Sequence, residues 1–298
     1  MDKFPSRERS AAATLELRAS AVIVVAGVRA TGRAPLDLCI RSALAEPWID
    51  DVVIVDHGNA PEISSYLRAL QADRRDVKLV AARRAMSAPA AMNLGAQHAR
   101  GRWLLFLDPN VVLQRGAVAR MAAAGGGAHG PWIVGGRLTD IEGRERGVTR
   151  AGELNAFSAL AVAVNWPRPK PRKRRLRGDG GTATRVAAVS DAFMLIPRHD
   201  FQALGAFDES FATDAADLDL CRRTSDVGGA ILFQPAASGV QFERAQRPGR
   251  REAQGLALFA AKSARTPFEK AFAAIARPAL LVLLTLRDFV AGRPPIRR

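Results

Sequence analysis

Short apolar runs alternate with segments whose apolar residues recur at helical spacing through the first half of the chain. This alternation predicts β-α-β units and a mostly parallel sheet flanked by helices. Ala21 to Ala26, Val52 to Val55, Val77 to Ala81 and Trp103 to Leu107 read as strands. Between the first two, Leu36, Ile40 and Leu44 share one helix face, and Pro35 suits a first turn. Pro61 opens the next helix, through Leu70, with Asn59 as its cap. Ser87 caps a helix running to Arg100, and Gly101 stops it. Gln114 to Ala124 predicts one more helix, ended by Gly125-Gly126-Gly127.

From Pro131 the pattern changes. Trp132 to Gly136 reads as a strand followed by turn-rich sequence. Residues 165–184 have no periodicity and hold Pro167, Pro169, Pro171 and the run Arg172-Lys173-Arg174-Arg175, which predicts a mobile basic loop. Strands return at Val186 to Val189, Phe193 to Ile196 and Ala230 to Phe233, with helical segments at Arg198 to Leu204 and Ala215 to Ser225. The C-terminal part is helical, with apolar residues from Leu256 to Phe259 and from Phe268 to Leu286. The expected organisation is a tail over 1–18, one α/β domain over 19–245 carrying the 165–184 loop, and a helical segment over 246–298.

Composition changes this picture in three ways. With 298 residues and 48% hydrophobic content, the chain can bury a sizeable core. Cys39 and Cys221 lie far apart without metal-ligand spacing and read as buried reduced thiols, which fits a cytoplasmic setting. The net charge of +15 favours a polyanionic partner. No zinc finger or aromatic RNA-binding strand is present and Tyr66 is the sole tyrosine, so nucleic acid is not expected. No run reaches the roughly 20 apolar residues that span a bilayer. Pro278 to Leu286 is apolar and edged by Arg277, Arg287, Arg293, Arg297 and Arg298. Two readings stand for it: an interfacial anchor on anionic lipid, or a helix packed on the core.

Chemistry gathers at strand ends. The run Trp103 to Leu107 releases Asp108-Pro109-Asn110, and Val52 to Val55 releases Asp56. Ligands of open α/β sheets bind beyond the carboxyl ends of strands, so two aspartates delivered to one edge suggest a nucleotide site. Asp108 and Asn110 are oxygen donors suited to a hard cation such as Mg²⁺ or Mn²⁺. Asp56 can accept from a pyrimidine ring N–H or merely close its turn. Asn93 can bond a nucleotide or sit as a surface amide, and Gly95 permits close backbone approach within a helix. Two further segments are Ser190-Asp191-Ala192-Phe193-Met194-Leu195-Ile196-Pro197-Arg198 and Gly205-Ala206-Phe207-Asp208-Glu209. Asp217-Leu218-Asp219-Leu220-Cys221 then opens a helix.

These segments, in this order over roughly Val22 to Gln241, resemble family 2 glycosyltransferases of the GT-A fold, particularly the rhamnosyltransferase-like branch. The resemblance implies a Rossmann-like, mostly parallel sheet with flanking helices plus a C-terminal helical extension. It implies an inverting enzyme that moves a sugar from a nucleotide-sugar donor to a hydroxyl acceptor. Asp217 falls where the family has its general base. Asp56, Asn93, Asp108 and Arg198 fall on the donor side, with Asp108, Asn110 and Gln241 at the metal. Asp208 and Glu209 fall in a structural turn. A lipid-linked or glycan acceptor, the inner face of a cytoplasmic membrane and a role in cell-surface glycan synthesis follow by the same analogy.

The chain departs from that pattern at three places. Asn110 stands where the family's second Asp is expected, Ala216 where a Glu is, and Gln241 where a His is. Each change removes charge or a ligand near the metal. The expectation is weak metal dependence, with Arg185, Arg198 and the Arg172 to Arg175 run as candidate diphosphate contacts. The rival reading is a degenerate GT-A-like protein that binds partners without turnover.

Overall fold

The computed structural model describes residues 19–28, 33–82, 86–146, 149–150, 181–212, 215–242 and 250–264, together with 266, 267 and 271. The N-terminal tail, the 165–180 part of the basic loop, Arg83, Arg84 and the apolar segment from Pro278 lie outside them.

Four parallel strands form the first half of the sheet. They are β1 (Ala19–Ala26), β2 (Ile49–His57), β3 (Val77–Ala81) and β4 (Trp103–Leu107). β1, β2 and β4 are largely buried apolar runs and β3 is a partly exposed edge strand, and they pair in the order β3-β2-β1-β4. Helix α1 (Arg33–Leu44) and α2 (Pro61–Asp73) join them on one face, and α3 (Ala88–His98) on the other. Right-handed crossovers require such intervening helices between parallel strands.

The second half was less legible. A short strand, β5 (Val111–Leu113), follows Asp108 directly and precedes α4 (Ala117–Gly125). Three residues are too few to show periodicity, and Gly116, at φ 78°, resets the chain before the helix. Then come β6 (Trp132–Thr139), β7 (Thr149–Arg150), β8 (Thr184–Arg185), β9 (Ala188–Val189) and β10 (Phe193–Pro197). Helices α5 (Arg198–Ala203) and α6 (Ala216–Asp226), the strand β11 (Ala230–Gln241) and α7 (Arg250–Ser263) complete the chain. The sheet order continues β4-β10-β6-β11-β5, with β8 also on β11 and a separate β7-β9 pair. β10 runs antiparallel to both β4 and β6, so the sheet is parallel on one side and mixed on the other. β11 is longer than its apolar start suggests. It continues past an irregularity between Gln234 and Ser238 and pairs with β5.

Two apolar layers cover the sheet. One face packs against α1, α2 and α4, and the other against α3, α5, α6 and α7. Helix α3 lies close to the sheet because Gly95 faces it; a Cβ there would stand 2.5 Å from Val22 Cγ1. On the same face Phe106, Phe201 and Phe207 form an edge-to-face cluster, with centroids 4.8 to 5.3 Å apart.

Two expected local roles change. Asn59 does not cap α2, whose cap residue is Ala60. Its amide instead accepts from the Val28 N–H at 2.8 Å and donates to Val25 O and Asp56 Oδ1 at 2.6 Å, tying the ends of β1 and β2 together. Asn93 is buried, and its amide clamps the Phe207–Glu209 turn. It accepts from Phe207 N–H at 3.0 Å and donates to Phe207 O at 2.8 Å and Glu209 Oε1 at 2.9 Å.

The neighbouring Asp208 joins that turn to α7. Burial pulls its carboxyl upward, but hydrogen bonds from Lys262 and from the Ser210 hydroxyl and N–H outweigh this and hold it at about 2. A carboxylate depressed from 3.8 stabilises the fold above that value and loses the contribution as pH falls through about 2. The Lys262→Met variant should therefore be less stable than the parent at pH 7, with the gap closing below pH 3.8, measured by urea unfolding across pH. Asn93→Ala should cost about 2 kcal/mol, because the N–H and C=O of buried Phe207 lose their partner. Urea midpoints at neutral pH check this.

Candidate active site

The C-terminal ends of β1, β2 and β4 open on one edge, and the sequence places acids there. Asp56 is the penultimate residue of β2, paired with Val25 of β1 and Ala81 of β3. Asn59 fixes one of its oxygens, and Oδ2 has no partner among the described residues. Asp108 follows β4 immediately. Its Oδ1 accepts from the Asn110 N–H at 2.8 Å and its C=O accepts from the Val111 N–H at 3.0 Å, so the acid shapes the turn that presents Asn110. The register through β1 sets Asp56 and Asp108 nearly level, two strand spacings or roughly 10 Å apart. That is a fit for a base at one end and phosphates at the other.

The mixed half brings further groups to the same edge. The Asp108 N–H donates to Ala192 O at 3.0 Å, so Ser190-Asp191-Ala192 stands beside the Asp108 turn. Carried two residues further, the β10–β6 register sets Ala192 level with Arg137, which pairs with Ser238 of β11. Gln241, at the end of β11, pairs with Val111, and the Phe242 N–H donates to Asn110 O at 2.9 Å. The β11 end therefore lies against the Asp108–Asn110 turn.

Asp217 belongs to α6. It occupies the first turn of α6, where a negative charge suits the helix dipole, and its Oδ1 accepts the Leu218 N–H at 2.8 Å. Ala215 ahead of it is held at φ 74°, a left-handed conformation that an alanine adopts at a cost. Helix α6 packs on β9 through Cys221, whose Sγ donates to Val189 O at 3.7 Å. Burial pushes the Cys221 thiol up to about 12, and Asp217 and Asp191 add to the rise. Both carboxylates therefore act on that thiol electrostatically. Asp219 is different. It holds Arg223 at 2.7 Å, and Arg223 in turn donates to Leu204 O and Ala206 O, so this pair is structural.

Arg198 is a correction. Because β10 is antiparallel to β4, Pro197 pairs with Trp103 and Arg198 emerges at the opposite edge of the sheet, roughly 15 Å from Asp108. Its Nη1 donates to Ala99 O at 2.9 Å and its N–H to Arg102 O at 2.8 Å. It closes the end of α3 and cannot contact a diphosphate at the Asp108 edge. Arg185 pairs with Leu232, in the row of Val134, Leu195 and Leu105, below the edge. Asn93, spent on the Phe207 turn, is also not at the nucleotide's disposal.

Two residues at the edge escaped the sequence reading. Asp191 precedes a buried strand, which is the same signal that singles out Asp108 at a strand's other end. Arg146 follows a tight hairpin turn around Gly143, in which Asp140 O accepts from the Gly143 N–H. The Arg146 N–H donates to Leu138 O at 2.8 Å, and its Nη1 donates to Gln241 Oε1 at 3.2 Å. The cation therefore faces the very side chain expected as a metal ligand.

That arrangement bears on metal binding. Among the described residues no three His, Cys, Asp or Glu groups could jointly hold a metal ion. Asn110 is neutral, one Asp108 oxygen is bonded to the turn, and the Gln241 oxygen accepts from a guanidinium, which a cation ligand would not do. The donor set of Asp108, Asn110 and Gln241 does not fit Mg²⁺ or Mn²⁺.

Comparison with known proteins places this architecture. The chain is similar in fold to a structure of GalNAc-T7 with UDP, GalNAc and Mn²⁺, with a TM-score of 0.59 and 16% identity over 93% of this chain. It spans 58% of that chain. It is similar to a mannosyltransferase, PcManGT from Pyrobaculum calidifontis, in complex with GDP-Man and Mn²⁺, at TM-score 0.54 and 15% identity, covering 93% of this chain and 76% of that one. S. aureus TarS 1-349 in complex with UDP-GlcNAc matches at TM-score 0.55 and 10% identity, covering 89% and 72%. At these identities the likeness establishes the GT-A fold. No curated protein matches the sequence. Residues 21–189, more than half of the chain, match Glycosyl transferase family 2, and the chain belongs to that family.

Proposed function

We propose that the protein is an inverting glycosyltransferase that moves a sugar from a nucleotide-sugar donor to a hydroxyl acceptor. The observation that carries this reading is the delivery of Asp56 and the Asp108–Asn110 turn to one sheet edge, with the Ser190–Ala192 segment beside it. The family membership and the nucleotide-bound fold neighbours support it.

In this reading the base lies at the end of β2, where the Asp56 carboxylate accepts a ring N–H. The diphosphate lies over the Asp108 turn. Asp217 takes the proton of the acceptor hydroxyl as its oxygen forms a bond to the anomeric carbon. The bond from that carbon to the phosphate oxygen breaks on the opposite side, and the electron pair leaves with the nucleoside diphosphate. Attack opposite the leaving group inverts the anomeric configuration. A carboxylate held in a fixed helical turn is a competent base for this step.

The +15 charge is consistent with an anionic acceptor or setting, and a lipid-linked glycan at the inner face of a bacterial cytoplasmic membrane meets both conditions. No described helix is long and apolar enough to cross a membrane. Release of sugar to water or to a lipid-linked acceptor, followed with radiolabelled UDP-, GDP- and dTDP-sugars, tests the activity. Asp217→Asn should lower turnover by about 10²-fold or more while leaving donor affinity nearly unchanged. A parent protein that binds donors but never turns them over would favour the degenerate, partner-binding reading.

A further inference from the structure

The donor edge carries a cation of its own. Arg146 reaches Gln241, Gln241 pairs with Val111, and the adjoining Phe242 N–H bonds Asn110 O. The guanidinium is therefore anchored one side chain away from the Asp108–Asn110 turn. No ion pair among the described residues includes it, although the neighbouring Arg144 is doubly paired with Asp140 and Glu142. One Nη1 hydrogen bond fixes its orientation and leaves further N–H donors.

We propose that Arg146 contacts the donor diphosphate and supplies the positive charge that stabilises it as a leaving group, in place of a divalent cation. This rests on the donor-site reading above. The departure at Gln241 then acquires a physical reason. A carboxylate at position 241 would pair with Arg146 and cancel its charge, whereas the neutral Gln241 amide holds the guanidinium in place and leaves its charge available. As the anomeric C–O bond breaks, negative charge grows on the diphosphate oxygens. A planar guanidinium meets two such oxygens at once, and its charge needs no ligand shell.

A second guanidinium lies in the same row. Arg137 is level with Ala192 and hence with Asp108, and its buried Nε has no hydrogen-bond partner among the described residues. A buried N–H without an acceptor is costly, and a phosphate oxygen would satisfy it.

Calorimetric titration of the whole chain with UDP, GDP and dTDP, and with the matching monophosphates, in EDTA and then in Mn²⁺, tests the proposal. The expected result is that one diphosphate binds in EDTA. Arg146→Ala should then weaken that diphosphate by roughly tenfold or more while changing the monophosphate far less, and Arg146→Lys should recover part of the loss. Urea unfolding of each variant shows that the fold is kept. Diphosphate binding that is abolished by EDTA and restored by Mn²⁺ would overturn the proposal. So would an Arg146→Ala variant whose preference for diphosphate over monophosphate is unchanged. If the parent binds no nucleotide in either condition, the donor-site reading itself fails and this proposal falls with it.

Discussion

One backbone hydrogen bond, from the Asp108 N–H to Ala192 O, joins the two halves of this molecule at the edge where its chemistry lies. The parallel half delivers Asp56 and Asp108 because every strand in it points the same way. The mixed half docks against that edge. β10 achieves this by running antiparallel to β4, so that its start, not its end, meets the Asp108 turn. Whatever precedes β10 is then carried to the same place. That includes Asp191, while β9 holds α6 through the bond from Cys221 Sγ to Val189 O.

The supports of the site explain why it holds its shape without large loops among the described residues. Asn59 binds the ends of β1 and β2 and orients Asp56. Asn93 and Arg223 grip the Phe207 turn from two helices, and Lys262 adds α7 to it. Asn59, Asn93 and Arg223 are spent largely on backbone groups that would otherwise lack partners. Helix α3 lies close to the sheet because Gly95 presents no side chain to Val22.

Much of this was legible in the sequence, and the limits are physical. Apolar runs gave β1, β2, β4 and β10 because a strand buried on both faces must be apolar throughout. Their terminal residues gave Asp56 and Asp108 because the strand direction is fixed by the β-α-β order. β5 was hidden because three residues carry no period. Arg198 was misplaced because its motif is local, whereas the sheet edge it occupies depends on the direction of β10, which no local pattern encodes. Asn59 and Asn93 have the composition of cap and ligand residues, and only long-range contacts show that they serve as ties. Arg146 looked like one more surface arginine in a chain with net charge +15, and it is the register of β11 against β5 that places it.

The central claim is that a nucleotide-sugar donor occupies the edge formed by β2, β4 and the end of β11. The most direct measurement is a crystal structure of the protein soaked or co-crystallised with the nucleoside diphosphate that binds it. The account predicts the base at the Asp56 carboxylate and the phosphates over the Asp108–Asn110 turn. A nucleotide seated elsewhere, for example at the opposite edge beside Arg102 and Arg198, would contradict it.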